Sequence, residues 1–433
     1  MSLTRPSLAR LAGWAALLAL YLAVPQLEWD HGLRRVRPEV FSGDEPHYLL
    51  MVNSLLEDGD LRLDPDYQRV RLGGAQAGVR FRGADLDHHV IVLDPKSGKS
   101  ELWHNLFNLY AHLPAGGFAR LRPGFESGAI EVPAHPPAFA LLLALFCAPF
   151  RAWPLRVEHV AVLAVALLSF LALVALYQAA VRAGFTAREA AFAVVLCGVA
   201  SPHLAYAQSL YSDTAITLAL ALALWARAGE RPALAGLALF AATALKPPFA
   251  LVAFAWAGLL CLEGRARDAR LLLSTFLPGC LVLAGFNFWL ARTPVIAGAL
   301  GFVPAAGLSV LQAIFLGSRH GLFVWVPWTL AGVFWILRQK TPLMRTLFWG
   351  AAPVVALTAA QASDGGYCYG PRYLLPFLPW LALATVASFR AAPRALRVVI
   401  VALAVAGVVI ALPGTLRYRR VFDLPLAAVF SGG

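Results

Sequence analysis

Charge is what this chain has least of. Of its 433 residues only 14 % are Asp, Glu, Lys or Arg, while 59 % are hydrophobic, and the mean hydropathy is +0.67. A soluble domain carries about 25 % charged residues, so the shortage excludes an ordinary cytosolic enzyme. The apolar content excludes a disordered chain. Cysteine is also sparse: Cys147, Cys197, Cys261, Cys280 and Cys368 are unevenly spaced, and four of the five sit inside apolar runs. They read as small core residues, not as a disulfide or metal framework. Acids are fewer than bases, 24 Asp plus Glu against 36 Lys plus Arg, a formal net charge of +12. Such a balance fits nucleic acid only if the cations form a surface, so their distribution decides.

What the chain has in abundance is long apolar runs. They recur near 8–25, 157–181, 188–206, 212–228, 232–246, 248–263, 270–290, 320–338, 343–361, 371–388 and 395–413. A hydrocarbon layer about 30 Å thick takes about 20 residues of helix. Backbone in lipid must satisfy its own hydrogen bonds, and the runs are too long for strands, so they are expected to be helices. The expectation is an all-α polytopic membrane protein of about 11 transmembrane helices. The first run follows Arg5 and Arg10 and would also suit a cleaved signal peptide. With no clear small-x-small site before Gln26, a retained anchor is the preferred reading.

The composition changes abruptly between Gln26 and Glu158, which hold 14 of the 36 basic and 17 of the 24 acidic residues. A polar stretch of that length is a folded loop, and loops of that size carry function. The chain thus divides into a first transmembrane helix (1–25), a large extracytoplasmic loop with juxtamembrane helices (26–156), a helical bundle (157–413) and an extracytoplasmic tail (414–433). Orientation follows from the bases in short loops. With the N-terminus cytoplasmic, fifteen bases fall inside, from Arg5 and Arg10 through Arg182, Arg227, Arg265, Arg345 and Arg390 to Arg397. Outside short loops hold Lys246, Arg292, Arg319 and Arg372, with three more bases in the tail. The pattern requires Pro136–Phe150 not to cross, so that segment reads as a helix at the outer interface. The net charge is topology, and no nucleic-acid partner is implied. The protein is expected in the cell inner (plasma) membrane, with membrane lipids around it and its active site extracytoplasmic.

Several motifs stand at outer ends of runs. Ser42-Gly43-Asp44-Glu45-Pro46-His47-Tyr48 precedes an apolar stripe of Tyr48, Met51, Val52, Leu55 and Leu56, spaced for an amphipathic helix on the membrane face. Asp44 is placed either to cap that helix or, as a carboxylate of raised basicity, to take a proton from a hydroxyl nucleophile. Asp213, in Tyr211-Ser212-Asp213-Thr214, is either a second cap or a second acid facing the same cavity. Lys246 precedes Pro247-Pro248, Arg319 and His320 precede a span, and Arg372 follows Gly370-Pro371. Each cation alone reads as snorkelling to headgroups. Three outside, against the positive-inside bias, suit a phosphate. His135-Pro136-Pro137 opens the interfacial segment, with His135 either a substrate hydrogen-bond donor or a surface histidine. His88, His89, His104 and His112 match no metal spacing.

Taken together, these pieces resemble the GT-C superfamily of integral-membrane glycosyltransferases, among them bacterial relatives of the protein O-mannosyltransferases and of the lipid A aminoarabinose transferase. The matching residues are Gly43 to Tyr48, His135-Pro136-Pro137, Tyr211-Ser212-Asp213, Lys246, and Gly365-Gly366 through Gly370-Pro371-Arg372-Tyr373. The resemblance implies an inverting transferase, hexosyl or pentosyl, that uses a polyprenyl-phosphate-linked sugar on the outer leaflet. It implies Asp44 as the catalytic base with Glu45 beside it. The residues and the resemblance together give an expected substrate site of His47, Tyr48, His135, Tyr211, Asp213, Lys246, Arg372 and Tyr373, with Arg319 added as an outer-face cation. Lys246 and Arg372 would hold the lipid phosphate. The acceptor would be a lipid, a glycan or a protein. No cofactor is implied with certainty, and a divalent metal is compatible but not indicated. The competing reading is a polytopic transporter or flippase for a lipid-linked or anionic substrate, which predicts ionisable groups mid-span or symmetric broken helices.

Overall fold

The computed structural model describes residues 8–23, 27–30, 33–36, 44–63, 66, 90–93, 100–103, 110–112, 118–120, 130–133, 135–150, 157–291, 307–360, 368–417 and 424–430. Each expected span coincides with a helix or a pair of helices. The first is α1 (Leu8–Ala23), and the polar loop contributes α2 (Glu45–Glu57) and α3 (Ala138–Cys147). Then follow α4 (Val157–Arg182), α5 (Ala187–Gly198), α6 (His203–Tyr206), α7 (Ser212–Ala228), α8 (Pro232–Leu245), α9 (Ala250–Leu262) and α10 (Ala266–Ala291). The remainder is α11 (Gly307–Leu316), α12 (Leu322–Trp325), α13 (Thr329–Leu337), α14 (Pro342–Ala359), α15 (Leu378–Ala391), α16 (Arg394–Leu416) and α17 (Leu426–Phe430).

Four segments are long and apolar enough to cross a membrane unaided: Val157–Arg182, Ala266–Leu290, Arg372–Ala391 and Arg394–Leu416. Their burial separates centre from rim. The first and third bury 72 % and 78 % of their apolar windows, the second and fourth only 17 % and 22 %. α4 and α15 are therefore core helices, while α10 and α16 turn Leu281, Val282 and Trp289, or Val398, Val405 and Val409, outward. In an aqueous protein such faces would be a liability, and beside lipid they are the expected surface.

α4 packs along α7, α7 along α8, α8 along α10, and α13 along α15. The α8–α10 approach depends on Gly236, where an added Cβ would collide with the backbone carbonyl of Leu272 and the hydroxyl of Thr275. Close backbone approach through small residues is how helices associate where lipid removes the hydrophobic drive. One expected run, 188–206, is broken. α5 starts in a capping box of Thr186 and Glu189, and the chain leaves the helix at Val199–Pro202 before α6.

The polar loop adds something the expectation of an all-α chain omitted: among its described residues are seven short strands, all antiparallel. β1 (Leu27–Asp30) pairs with β2 (Leu33–Val36), and β5 (Tyr110–His112) with β6 (Phe118–Arg120). β3 (Val90–Leu93) lies between β4 (Ser100–Trp103) and β7 (Ile130–Pro133), in register Val90↔Trp103 and Val90↔Pro133. The membrane-spanning part remains wholly helical among the described residues.

α2 corrects a second expectation. Tyr48, Met51 and Val52 of the apolar stripe are buried, but so are Leu49, Leu50, Asn53 and Ser54. The helix does not lie on the surface with a wet face. Its first half is enclosed, with α3 packed along it. α3 buries Phe139, Ala140, Leu143 and Cys147 and leaves Leu145 74 % exposed. α16 extends three residues past the expected boundary at 413. Beyond it Leu426 N–H donates to Ser318 O at 2.9 Å, joining the tail to the turn after α11.

Candidate functional site

Charged groups from five separate stretches meet at one end of the bundle, each delivered by a local backbone device. Lys246 follows α8 with φ −156° and ψ 108°. Pro247 bars its predecessor from helical conformation, so the helix must stop there in an extended residue. Gly370 has φ +68°, a left-handed conformation that glycine adopts freely, and a Cβ there would press on the Trp325 ring at 3.1 Å. Pro371 follows and launches a 3₁₀ turn, Arg372–Phe377, that runs into α15. Tyr211 is an extended N-cap, which places Asp213 in the first turn of α7, where the helix dipole favours an anion. Pro136-Pro137 after His135 open α3.

Arg372 is the centre. Its Nε donates to Asp213 Oδ2 at 2.9 Å, and its Nη2 donates to Asp44 Oδ2. The guanidinium carbon lies 4.0 Å from the Tyr211 ring centroid, a cation–π contact on its flat face. Lys246 Nζ donates to the other oxygen of Asp213, Oδ1, at 3.1 Å and stands 4.8 Å from the Tyr373 ring centroid. His135 Nε2 is 4.0 Å from Asp44 Oδ1. The groups thus form a row, His135, Asp44, Arg372, Asp213, Lys246, in which two acids alternate with two permanent cations. Asp213 is fully buried and Arg372 nearly so. The side chains of Asp44 (15 % exposed) and Lys246 (29 %) form the reachable edge.

This geometry sets aside the capping reading of both acids. Asp44 occupies the N-cap position of α2 but makes no side-chain cap bond, and its backbone is helical there (φ −75°, ψ −15°). Its carboxylate is engaged by Arg372 instead. Asp213 is likewise inside α7, not capping it, and is shared between Lys246 and Arg372. The two cations do not stand apart as a ready phosphate clamp, since each already faces an acid. Glu45 parts company with its neighbour. It is buried, and its Oε1 accepts the Leu210 N–H at 2.8 Å, bracing the segment between α6 and α7.

The remaining site residues form the walls. The His47 and His135 rings are 5.7 Å apart, and Tyr48 lies 5.4 Å from His135 and packs edge-on against Phe139 at 4.9 Å. The Tyr48 hydroxyl donates to Ser212 Oγ at 3.4 Å. Burial, reinforced by the negative charge of Asp44, pushes this phenol up, which keeps it a donor. Arg319 is placed differently. It is exposed, on the turn after α11, outside this row of contacts. Gly43, Ser42 and Gly365-Gly366 lie outside the described residues, as do His88, His89 and His104; of His112 only the strand backbone is described. Among the described residues no group of three or more His, Cys, Asp and Glu side chains converges as a metal-ligand set.

Three contributors were given no role by the sequence reading. Ser212 receives the Tyr48 hydroxyl, the Leu210 amide holds Glu45, and the Gln208 amide donates to Gly414 O at 3.0 Å and Thr415 O at 3.1 Å. The last pair ties the approach to α7 to the end of α16, and Tyr369 reinforces the same corner by donating to Ile410 O at 2.6 Å. The one hint was the polar run from Gln208 to Asp213 between apolar helices.

No protein-family model matches the chain, and no curated protein sequence does. Solved structures do. ArnT from Cupriavidus metallidurans, the lipid A aminoarabinose transferase, matches in the apo state with a TM-score of 0.53 and 15 % identity, over 97 % of this chain and 74 % of that one. The same protein bound to undecaprenyl phosphate matches with a TM-score of 0.54 and 14 % identity, over 98 % and 75 %. The archaeal oligosaccharyltransferase AglB from Archaeoglobus fulgidus, in complex with an inhibitory peptide and a dolichol-phosphate, aligns with a TM-score of 0.47 and 12 % identity, over 95 % and 56 %. The likeness to ArnT shows that this chain shares the helical fold of that protein.

Proposed function

We propose that the protein is a membrane glycosyltransferase that moves a sugar, hexosyl or pentosyl, from a polyprenyl-phosphate-linked donor to an acceptor hydroxyl at the extracytoplasmic face of the inner membrane, with inversion. The observation that carries this reading is the alternating row Asp44–Arg372–Asp213–Lys246, assembled at one end of a GT-C fold. The fold is shared with a protein whose structure holds undecaprenyl phosphate, which favours a lipid phosphate as the anion that the row receives. The ionisable groups stand at helix ends, which also favours chemistry at a surface over a transport path.

In the reaction a base withdraws the proton from the acceptor hydroxyl as its oxygen attacks the anomeric carbon. The carbon–oxygen bond to phosphate breaks, and the electron pair leaves with polyprenyl phosphate, whose negative charge grows. Asp44 is assigned the base and Arg372 with Lys246 the phosphate. The ion pair between Asp44 and Arg372 gives this assignment a sequence of events. While Arg372 holds Asp44, the carboxylate is a weak base. A donor phosphate supplies a competing anion to Arg372, and Asp44 is released to take the proton. Asp213, buried behind both cations, keeps them aimed throughout.

The test is transfer in proteoliposomes with labelled polyprenyl-phosphate sugars. Asp44→Asn keeps the side chain's size and abolishes its basicity, so turnover is expected to fall about 10²–10⁴-fold while donor binding persists. Undiminished transfer by that variant would remove Asp44 from the base role.

A further inference from the structure

The bundle has a second charged site at its other end. α7 runs from Asp213 to Arg227, about 21 Å along the axis at 1.5 Å per residue. There the ends of α7, α9 and α15 and the start of α14 surround a cavity of about 900 Å³. Arg227, Arg265, Arg345 and Arg390 line it, against two acids, Glu230 and Glu263. Glu263 serves two of the arginines, with Oε2 3.1 Å from Arg227 Nη2 and Oε1 3.9 Å from Arg345 Nη2. Arg265 is held by Asp268 at 2.6 Å and Arg390 rests 3.8 Å from Glu189, neither acid lining the cavity. Apart from Thr341 and Thr346 the rest of the wall is apolar, with Phe185, Trp335 and Leu343.

We propose that this cavity binds the headgroup of an anionic glycerophospholipid from the membrane leaflet on that side. Three features converge. The lining carries two more cations than acids, and one carboxylate divided between Arg227 and Arg345 leaves that pair of cations undercompensated. Arg345 and Arg390 are the least committed of them, 44 % and 61 % exposed and 3.9 Å and 3.8 Å from their acids, so either can turn to a phosphate without breaking a close bond. Glu263 Oε1 accepts no hydrogen bond among the described residues, which offers an acceptor to a headgroup hydroxyl. A soluble phosphate would use the arginines but not the aromatic wall. A phospholipid uses both, laying its first acyl carbons on Phe185 and Trp335. Basic pockets between helix ends at a membrane surface recognise anionic headgroups in this way. Nothing in the transfer reaction requires this site, so it stands or falls separately from the proposed activity.

The test uses the full chain, purified and delipidated in neutral detergent. Bound lipid is counted by native mass spectrometry during titration with phosphatidylglycerol, phosphatidylcholine or soluble glycerol phosphate. Phosphatidylglycerol is expected to occupy a saturable site that phosphatidylcholine does not fill. Arg345→Gln is expected to weaken it about fivefold, from about 1 kcal/mol per interfacial arginine, and Arg345→Lys to restore most of the affinity. Arg390→Gln supplies a second loss-of-charge variant should Arg345→Gln fold poorly. Equal binding of the two phospholipids, or unchanged affinity in both Gln variants, overturns the proposal. Binding of glycerol phosphate as tight as that of the lipid overturns the lipid as its occupant.

Discussion

Arg372 is the residue whose replacement tests the site most severely. Its guanidinium makes charge-assisted bonds to two different carboxylates and lies on Tyr211, all in a pocket that leaves it 9 % exposed. Bonds to charged groups contribute about 1.5–3 kcal/mol each, so the two together amount to about 3–6 kcal/mol. Breaking a buried ion pair by removing one partner independently suggests about 3–5 kcal/mol, because the stranded charge is left without compensation. Arg372→Gln should therefore destabilise by about 3–5 kcal/mol. Asp213→Asn, which leaves Lys246 without its acid and Arg372 with Asp44 alone, should do about the same. The double variant is the decisive measurement. With both charges gone neither is stranded, so its cost should fall short of the sum by about 2–3 kcal/mol. Arg372→Lys should lose one of the two bonds, about 1.5–3 kcal/mol, since a single ammonium cannot span both acids. The assay is reversible unfolding of the purified protein in mixed micelles. Additivity of the Arg and Asp variants to within about 0.5 kcal/mol would show that the two groups do not share a buried pair, and the account of the row would fail.

Two further outcomes follow from neighbours of the row. Glu45→Gln retains an oxygen for the Leu210 N–H and should leave transfer close to wild type, whereas Glu45→Ala strands that amide and should destabilise by about 1–3 kcal/mol; a collapse of turnover in a stable Glu45→Gln protein would make Glu45 part of the chemistry. Gly370→Ala places a side chain at φ +68° and against Trp325, so a loss of about 1–2 kcal/mol is expected with a weakened donor affinity, because the Arg372 backbone starts from that turn; unchanged melting and unchanged donor KM would show the turn to be unimportant.

The helices were legible because long apolar runs announce themselves, and Asp44, His135, Asp213, Lys246 and Arg372, read at the ends of such runs, do meet in one row. Their pairing was not legible. Asp213 and Arg372 are 159 residues apart, and Asp44 and Arg372 are 328 apart, so no local pattern joins them. The same reason hid Glu45, whose partner is a backbone amide 165 residues away. Local spacing misled at α2, where an i, i+3, i+4 stripe gives the side facing the core but not whether the opposite side is covered too. α11 escaped because its ten residues, Gly307–Leu316, fall well short of a span. The strands of the polar loop are three or four residues long, too few for a period of two to show, although Val90-Ile91-Val92-Leu93 has the β-branched composition of one.

The sequence distances within the row also set an order of assembly. Asp213 and Lys246 are 33 residues apart on adjacent helices, so they leave the ribosome close together and can neutralise one another as soon as α7 and α8 lie side by side. Arg372 emerges far later, and until it does Asp44 waits at the membrane surface without its guanidinium. A chain halted before that point would hold a quiet lysine–aspartate pair and no completed charge row. The Asp44–Arg372 contact, between residues 328 apart in sequence, is then the last of the row to form, and a chain ended before Arg372 lacks the guanidinium that holds Asp44.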